Sequence, residues 1–448
     1  MMDRTKPPQT PALPIYKLPP VFETALPNGL SILLIEDHRF PMATARLGFQ
    51  AGSKYDPAPL AGSLSEAAAA LLIEGTEGRT AHQIADETAA IGGSLHASSS
   101  PDHLLLAASA LSENLPQLLN LVADVALHAG FPEEEIELYK RNRAQELLSQ
   151  RAEASFQADE KFAELLFAPH PYSRQDPTLE TIEKLDRAAL AGFRDRTLSP
   201  NNAVLVLLGA LPPRERALDL IAAEFGAWQS RESPPPPPAR FPEPSRSIVL
   251  VDRPGSVQAD IRIGRLAVPR DHPSYFPLLV GNAILGGGTS SRIFANIREK
   301  KGYAYDAHSA AYPLQESGSF AVVTQVRNEV LAEAIQALLD EMHQIGAQPV
   351  SEEELDTARN YLSGVFAIRL ETQDGLAGQI AAVKLLGLPL DYLEQYTRRV
   401  RAVSQEGILA AAAGYMDPQP ASIVVVGDAS QILAPLQSFG KVQVEQAK

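Results

Sequence analysis

Ser199-Pro200-Asn201-Asn202-Ala203-Val204-Leu205-Val206-Leu207-Leu208-Gly209 is a polar turn that runs into an unbroken apolar strand and stops at a glycine. The same design returns as Asp417-Pro418-Gln419-Pro420-Ala421-Ser422-Ile423-Val424-Val425-Val426-Gly427. A second pair, Pro132-Glu133-Glu134-Glu135-Ile136 and Ser351-Glu352-Glu353-Glu354-Leu355, recurs at the same interval to within one residue. In both copies the acidic triplet opens a long helical stretch, where first-turn carboxylates suit the helix dipole. Two patterns with one spacing indicate an internal duplication. The interval far exceeds the ~20–50 residues of a solenoid repeat, so the duplicated units are domains.

Between the copies lies Ser230 to Ser247, with Pro234-Pro235-Pro236-Pro237-Pro238 followed by Pro242 and Pro244. Such a run adopts extended polyproline II and acts as a semi-rigid spacer. The expected organisation is an extended N-terminal segment over 1–20, a first domain over 21–229, a linker over 230–247 and a second domain over 248–448. Within the first domain, Phe22 to Leu26 and Leu30 to Glu36 flank Pro27-Asn28-Gly29, a hairpin turn signal. Met42 to Ala51 reads as a further strand, and Leu64 to Glu74 and Leu115 to Ala129 as Ala-rich helices. Hairpin strands with helices between the groups predict an α+β class: two homologous domains, each a duplicated antiparallel sheet with helices packed on one face.

With 448 residues the chain is too long for one ordinary core. A formal net charge of -15, without any Lys/Arg run, argues against a nucleic-acid partner. The absence of cysteine excludes thiol nucleophiles and thiolate metal sites, leaving any metal to His, Asp and Glu. No apolar run approaches the ~18–20 residues of a membrane span. Met1 to Pro20 is polar and proline-rich, unlike a secretory leader. The chain as it stands reads as cytoplasmic, or as periplasmic if a leader has been removed.

Leu26-Pro27-Asn28-Gly29-Leu30, then Ala51-Gly52-Ser53, then a helix ending at Gly75-Thr76, resemble the opening of the pitrilysin/mitochondrial-processing-peptidase superfamily, peptidase family M16. The resemblance extends from about Phe22 to Val444. In active members that helix carries His-x-x-Glu-His: two histidines one turn apart bind zinc, and the glutamate is the general base. Counting back from Gly75-Thr76 puts these positions at Glu66, Ala69 and Ala70; counting forward from Gly62 puts them at Ser65, Ala68 and Ala69. Neither register holds a histidine. The resemblance implies a third ligand on a later helix, for which Glu146, counted forward from Ala69, is the candidate. None of the nine histidines pairs with a Glu in the motif's spacing, so no metal is expected on this chain.

The second half keeps a more specific signal. Leu285-Gly286-Gly287-Gly288-Thr289-Ser290-Ser291-Arg292-Ile293-Phe294 is followed by Ile297-Arg298-Glu299-Lys300-Lys301-Gly302-Tyr303-Ala304-Tyr305. It reads as a helix capped at Gly302, with Arg298 in the last turn and Tyr305 on a following strand. The glycine run lacks the Gly-Lys-Ser/Thr ending of a phosphate loop. The segment resembles the family's Arg/Tyr pair, which the resemblance implies holds substrate across the chamber. A peptide carbonyl under attack develops negative charge, and a phenol O–H or a guanidinium aimed at it stabilises that charge. The structural alternative is that Arg298 pairs with a helix carboxylate and Tyr305 packs on the sheet.

The resemblance therefore implies half of a clamshell chamber. It implies a non-catalytic subunit of a heterodimeric zinc peptidase that places Arg298 and Tyr305 in trans. The expected partner is a homologous subunit carrying His-x-x-Glu-His and the zinc, and the substrate is a peptide. The alternative is a structural or peptide-binding protein with no role in catalysis, similar to the core subunits of the respiratory bc1 complex.

Overall fold

The computed structural model describes residues 16–447, so most of the expected N-terminal segment over 1–20 lies outside the described residues. The first half opens with strands β1 (Val21–Ala25), β2 (Ser31–Glu36) and β3 (Met42–Phe49), then helices α1 (Leu64–Leu71) and α2 (Ala81–Ala90). Strands β4 (Ser94–Ser99) and β5 (Leu104–Leu111) lead into α3 (Leu115–His128), α4 (Glu133–Arg151) and α5 (Ala154–Phe167). After α6 (Leu179–Glu183) and α7 (Arg187–Thr197) come β6 (Ala203–Gly209) and α8 (Arg214–Phe225). Residues 230–247 carry neither helix nor strand.

The second half repeats the plan. It runs through β7 (Ile248–Asp252), β8 (Gln258–Ala267), α9 (Tyr275–Leu285), a π-helix (Phe294–Lys300), β9 (Ala307–Pro313) and β10 (Gly318–Arg327). Helices α10 (Leu331–Ala347), α11 (Glu352–Arg369), α12 (Gln373–Leu385), α13 (Tyr392–Ala402) and α14 (Gln405–Tyr415) follow. Strand β11 (Ser422–Gly427), α15 (Ala429–Leu436) and β12 (Val442–Gln446) close it.

Each half builds one six-stranded sheet, in the orders β1-β2-β6-β3-β5-β4 and β12-β7-β11-β8-β10-β9. Five strands correspond one to one, and Gly209 and Gly427 end the matching strands β6 and β11. The pairing register repeats as well: Arg46 lies opposite Val206, and Arg262 opposite Val424. The outermost strands differ. β1 reaches β2 through the Pro27-Asn28-Gly29 hairpin and is antiparallel to it, whereas β12 comes from the other end of its half and runs parallel to β7.

Two α+β domains of common design are thus present, and two features refine the expected sheets. First, β6 runs parallel to β2, and β11 parallel to β7; apart from these and the β12–β7 pair, neighbouring strands are antiparallel. Both strands arrive after a long helical crossover, the connection that parallel pairing needs. Second, the central strands are covered on both faces. Leu205 and Leu207 face the first half's own helices, whereas Val204, Val206 and Leu208 join the second half's core with Leu376, Ala377 and Ile380 of α12. Reciprocally, Val424 and Val426 pack with Ala154, Ala158 and Phe162 of α5. Each half lends one helix to the other's sheet. Burial on both faces explains why β6 and β11 read as continuous apolar runs without alternation.

Candidate functional site

Helix α1 is the helix that aligns with the expected zinc motif. It ends at Leu71, one turn earlier than the sequence pattern predicts. Its buried face holds Ser65, Ala68 and Ala69, at 2% exposure or less. Ser65 is engaged inward, its N–H donating to Asp56 Oδ1 at 3.0 Å and its hydroxyl to Oδ2 at 3.4 Å. Glu66 and Ala70, one turn apart, share the half-exposed face. Of the two registers read from the sequence, this geometry presents Glu66 and Ala70 to α4.

The residue that meets them is Arg143. It belongs to the buried stripe Ile136, Arg143, Leu147 on α4, a helical spacing with a cation where an apolar residue is usual. Arg143 Nε donates to Glu66 Oε1 at 2.5 Å and one terminal nitrogen to Glu66 Oε2 at 3.4 Å. The other donates to Gln150 Oε1 at 3.0 Å and stands 3.6 Å from Glu146 Oε2. Tyr139 O–H also donates to Glu66 Oε1, at 3.3 Å. Burial works against the charge of Arg143, but the hydrogen bond and charge of Glu66, with Glu146, outweigh it and raise its pKa. Glu146 itself is 60% exposed. The interval that leads from Ala69 to Glu146 leads from Ala70 to Leu147, which is fully buried.

This arrangement does not fit zinc. Ala69 and Ala70 offer methyl groups, the Glu66 carboxylate is already paired with a guanidinium, and Leu147 carries no donor. Three protein donors are the minimum for a catalytic zinc. Among the described residues no group of three or more His, Asp or Glu is placed to hold a metal ion.

The second-half segment is built differently. Gly286 caps α9 and receives a hydrogen bond from Ser309 N–H at 3.0 Å. A Cβ there would lie 2.3 Å from that nitrogen, so only glycine permits the approach of loop to β9. An open cleft of about 480 Å³ beside the glycine run is lined by Thr289, Ser290, Glu353 and Tyr361. The next turn is a π-helix, closed by Lys301 N–H to Asn296 C=O at 3.1 Å, and Gly302 follows at φ +63°. Single π turns concentrate at functional sites because they shift side chains out of the α register.

Arg298 sits in the last π turn with its guanidinium over two rings, 4.7 Å from the centre of Phe294 and 4.9 Å from that of Tyr305. Such contacts hold a guanidinium without consuming its N–H donors. Among the described residues Arg298 forms no hydrogen bond or ion pair, so pairing with a helix carboxylate is not what holds it. Tyr305 does not lie on a strand, which corrects the sequence expectation: β9 begins at Ala307, where its pairing with Thr324 of β10 ends. Tyr305 stands in the preceding loop, 85% exposed. No hydrogen bond, ion pair or ring contact among the described residues joins this pair to Glu66, Arg143 or Glu146. Sequence reading missed Arg143, Tyr139 and Phe294; a lone arginine on an apolar helical stripe was the legible sign of the first.

Residues 31–172 match the family model "Insulinase (Peptidase family M16)", and residues 184–362 match "Peptidase M16 inactive domain". An uncharacterized zinc protease of Mycobacterium leprae is 25% identical over 422 residues, covering 93% of this chain and 94% of that protein. One from Streptomyces coelicolor is 24% identical over 412 residues, covering 91% and 89%. Among solved structures, a peptidase M16 inactive domain from Pseudomonas fluorescens superposes with a TM-score of 0.85 at 26% identity, over 91% of this chain and 98% of that one. A protease from Helicobacter pylori superposes at 0.83 with 19% identity, over 92% and 100%, a likeness of fold.

Proposed function

The chain belongs to peptidase family M16, and from that premise we propose that it is the non-catalytic subunit of a two-chain zinc peptidase. In this reading residues 21–229 and 248–448 are its two M16 domains, joined by the proline segment, and together they form one half of a closed chamber. A homologous subunit with an intact His-x-x-Glu-His helix supplies the other half and the zinc, and the substrate is a peptide.

The observation that carries the reading is the state of Arg298 and Tyr305. A structural arginine at this position would be tied to a carboxylate and a structural tyrosine buried; instead the half-buried Arg298 guanidinium stands over the ring of the exposed Tyr305, and the donors of both are unspent. Arg298 is aimed to hold a peptide carbonyl or carboxylate, and Tyr305 O–H to donate to an oxygen that gains negative charge. The vestigial helix supplies neither ligand nor base, so these groups act only beside another chain's site.

The test is reconstitution. The chain alone, and a homologue bearing the intact motif alone, should each cleave peptides poorly, and the mixture should cleave them well. Metal analysis after chelator dialysis should place zinc on the homologue. A homologue that works at full rate without this chain would sink the proposal and favour a purely structural role.

A further inference from the structure

We propose that Arg143 is a built-in replacement for the metal: its guanidinium is the fixed cation that ties α1 to α4 and excludes zinc from the vestigial site. This rests on the reading of α1 as a degenerate zinc helix, and it is independent of the Arg298/Tyr305 assignment.

The argument is one of position and charge. A zinc ion in this fold would sit between the ligand positions on α1, now Glu66 and Ala70, and the third on α4. The Arg143 guanidinium occupies that gap. It reaches Glu66 on α1 with two nitrogens, and Gln150 and Glu146 on α4 with the third. It is only 8% exposed, and each of its nitrogens has an acceptor. Asp176 also lies within its field, since Arg143 lowers and Glu66 raises the pKa of that carboxyl, which burial raises first of all. The cluster is therefore acidic around one permanent positive charge. Arginine cannot shed its proton to admit a second cation, as a lysine or histidine could. Restoring ligands would not be enough to restore metal.

Leu147 lies one turn beyond Arg143 on the same buried stripe, so Glu66→His, Ala70→His and Leu147→Glu together rebuild a three-ligand set facing the gap. Zinc affinity of that triple variant would be measured by calorimetric titration of chelator-treated protein, with Arg143 kept and with Arg143→Leu added. Arg143→Gln serves as a second uncharged variant should the leucine fail to fold. We expect near one zinc per chain without the arginine, and binding at least about tenfold weaker with it, as repulsion between close charges requires. Equal affinity in both backgrounds would overturn the exclusion while leaving the zinc-helix reading intact. Zinc binding in neither would overturn both. In the otherwise native chain, Arg143→Leu should lower Tm and Arg143→Lys should recover part of the loss; an unchanged Tm for Arg143→Leu would overturn the tie between the helices.

Discussion

Asp159 on α5 of the first half grips Arg262 on β8 of the second, through hydrogen bonds of 2.6 Å and 3.2 Å to the guanidinium. The relationship has a mirror: Arg46 on β3 of the first half is paired with Asp374 at the start of α12 in the second. Arg46 and Arg262 hold matching places in the two sheets, each opposite the valine of its central strand. The exchange of helices is thus sealed twice by the same charge pairing.

Each pair is lopsided, and that decides what mutation does. Arg46 is 6% exposed and Asp374 is 75% exposed. Asp374→Ala leaves a buried guanidinium without its counter-ion, a loss of about 1–3 kcal/mol. Arg46→Met leaves a carboxylate that water can reach and should cost about 1 kcal/mol or less. Urea unfolding of the two variants checks the order; a larger loss for Arg46→Met would contradict it.

Because α5 covers β8 and β11 while α12 covers β3 and β6, covalent continuity through the proline run is not what keeps the halves together. A protease site inserted within Pro234 to Pro238 and then cut should leave two fragments that co-elute on gel filtration and melt as one. Separation of the fragments without denaturant would show that the exchanged helices contribute little.

Tyr305→Phe removes one exposed O–H and almost no volume, so the reconstituted complex should assemble normally while kcat falls by up to about 10²-fold. Arg298→Ala should raise KM as well as lower kcat, because it removes substrate binding along with charge stabilisation. Steady-state kinetics on complexes verified by gel filtration give the answer. Activity within about twofold of wild type for both variants would assign this chain a scaffold role only.

Arg292, just beyond the glycine run, donates to Glu354 at 2.6 Å and 2.9 Å, and Glu354 also closes the capping box of α11 with Ser351. The hydrogen bond from Arg292 is the main cause that pulls the Glu354 carboxyl down to about 2. A depressed folded pKa stabilises above the unfolded value and is lost as pH falls through the folded one. Glu354→Gln should therefore cost about 1 kcal/mol at pH 7, a modest figure because both groups remain partly solvated. That difference should close between pH 4.5 and pH 2. Unfolding curves over this range that keep a constant gap would rule the pair out as its origin.

Much of this molecule was legible in its sequence. The duplicated apolar strands ending at Gly209 and Gly427, the acidic openings of α4 and α11, and the Pro27-Asn28-Gly29 turn are local patterns, set by periodicity, capping and turn chemistry that neighbours in the chain decide. The lack of a His-x-x-Glu-His run is likewise a local matter, since Glu66 to Ala70 holds no histidine. What only the tertiary structure decided are relations between distant segments. The sequence pointed to one covered face per sheet, but a continuous apolar run cannot say which element covers its second face, and the exchange of α5 and α12 follows from packing across the halves. Tyr305 left the expected strand because cross-strand pairing, which no single strand specifies, stops at Ala307. Arg143 acquires its place only where α4 lies against α1, where burial and two carboxylates make it the central cation of a cluster that, among the described residues, holds no metal-binding set.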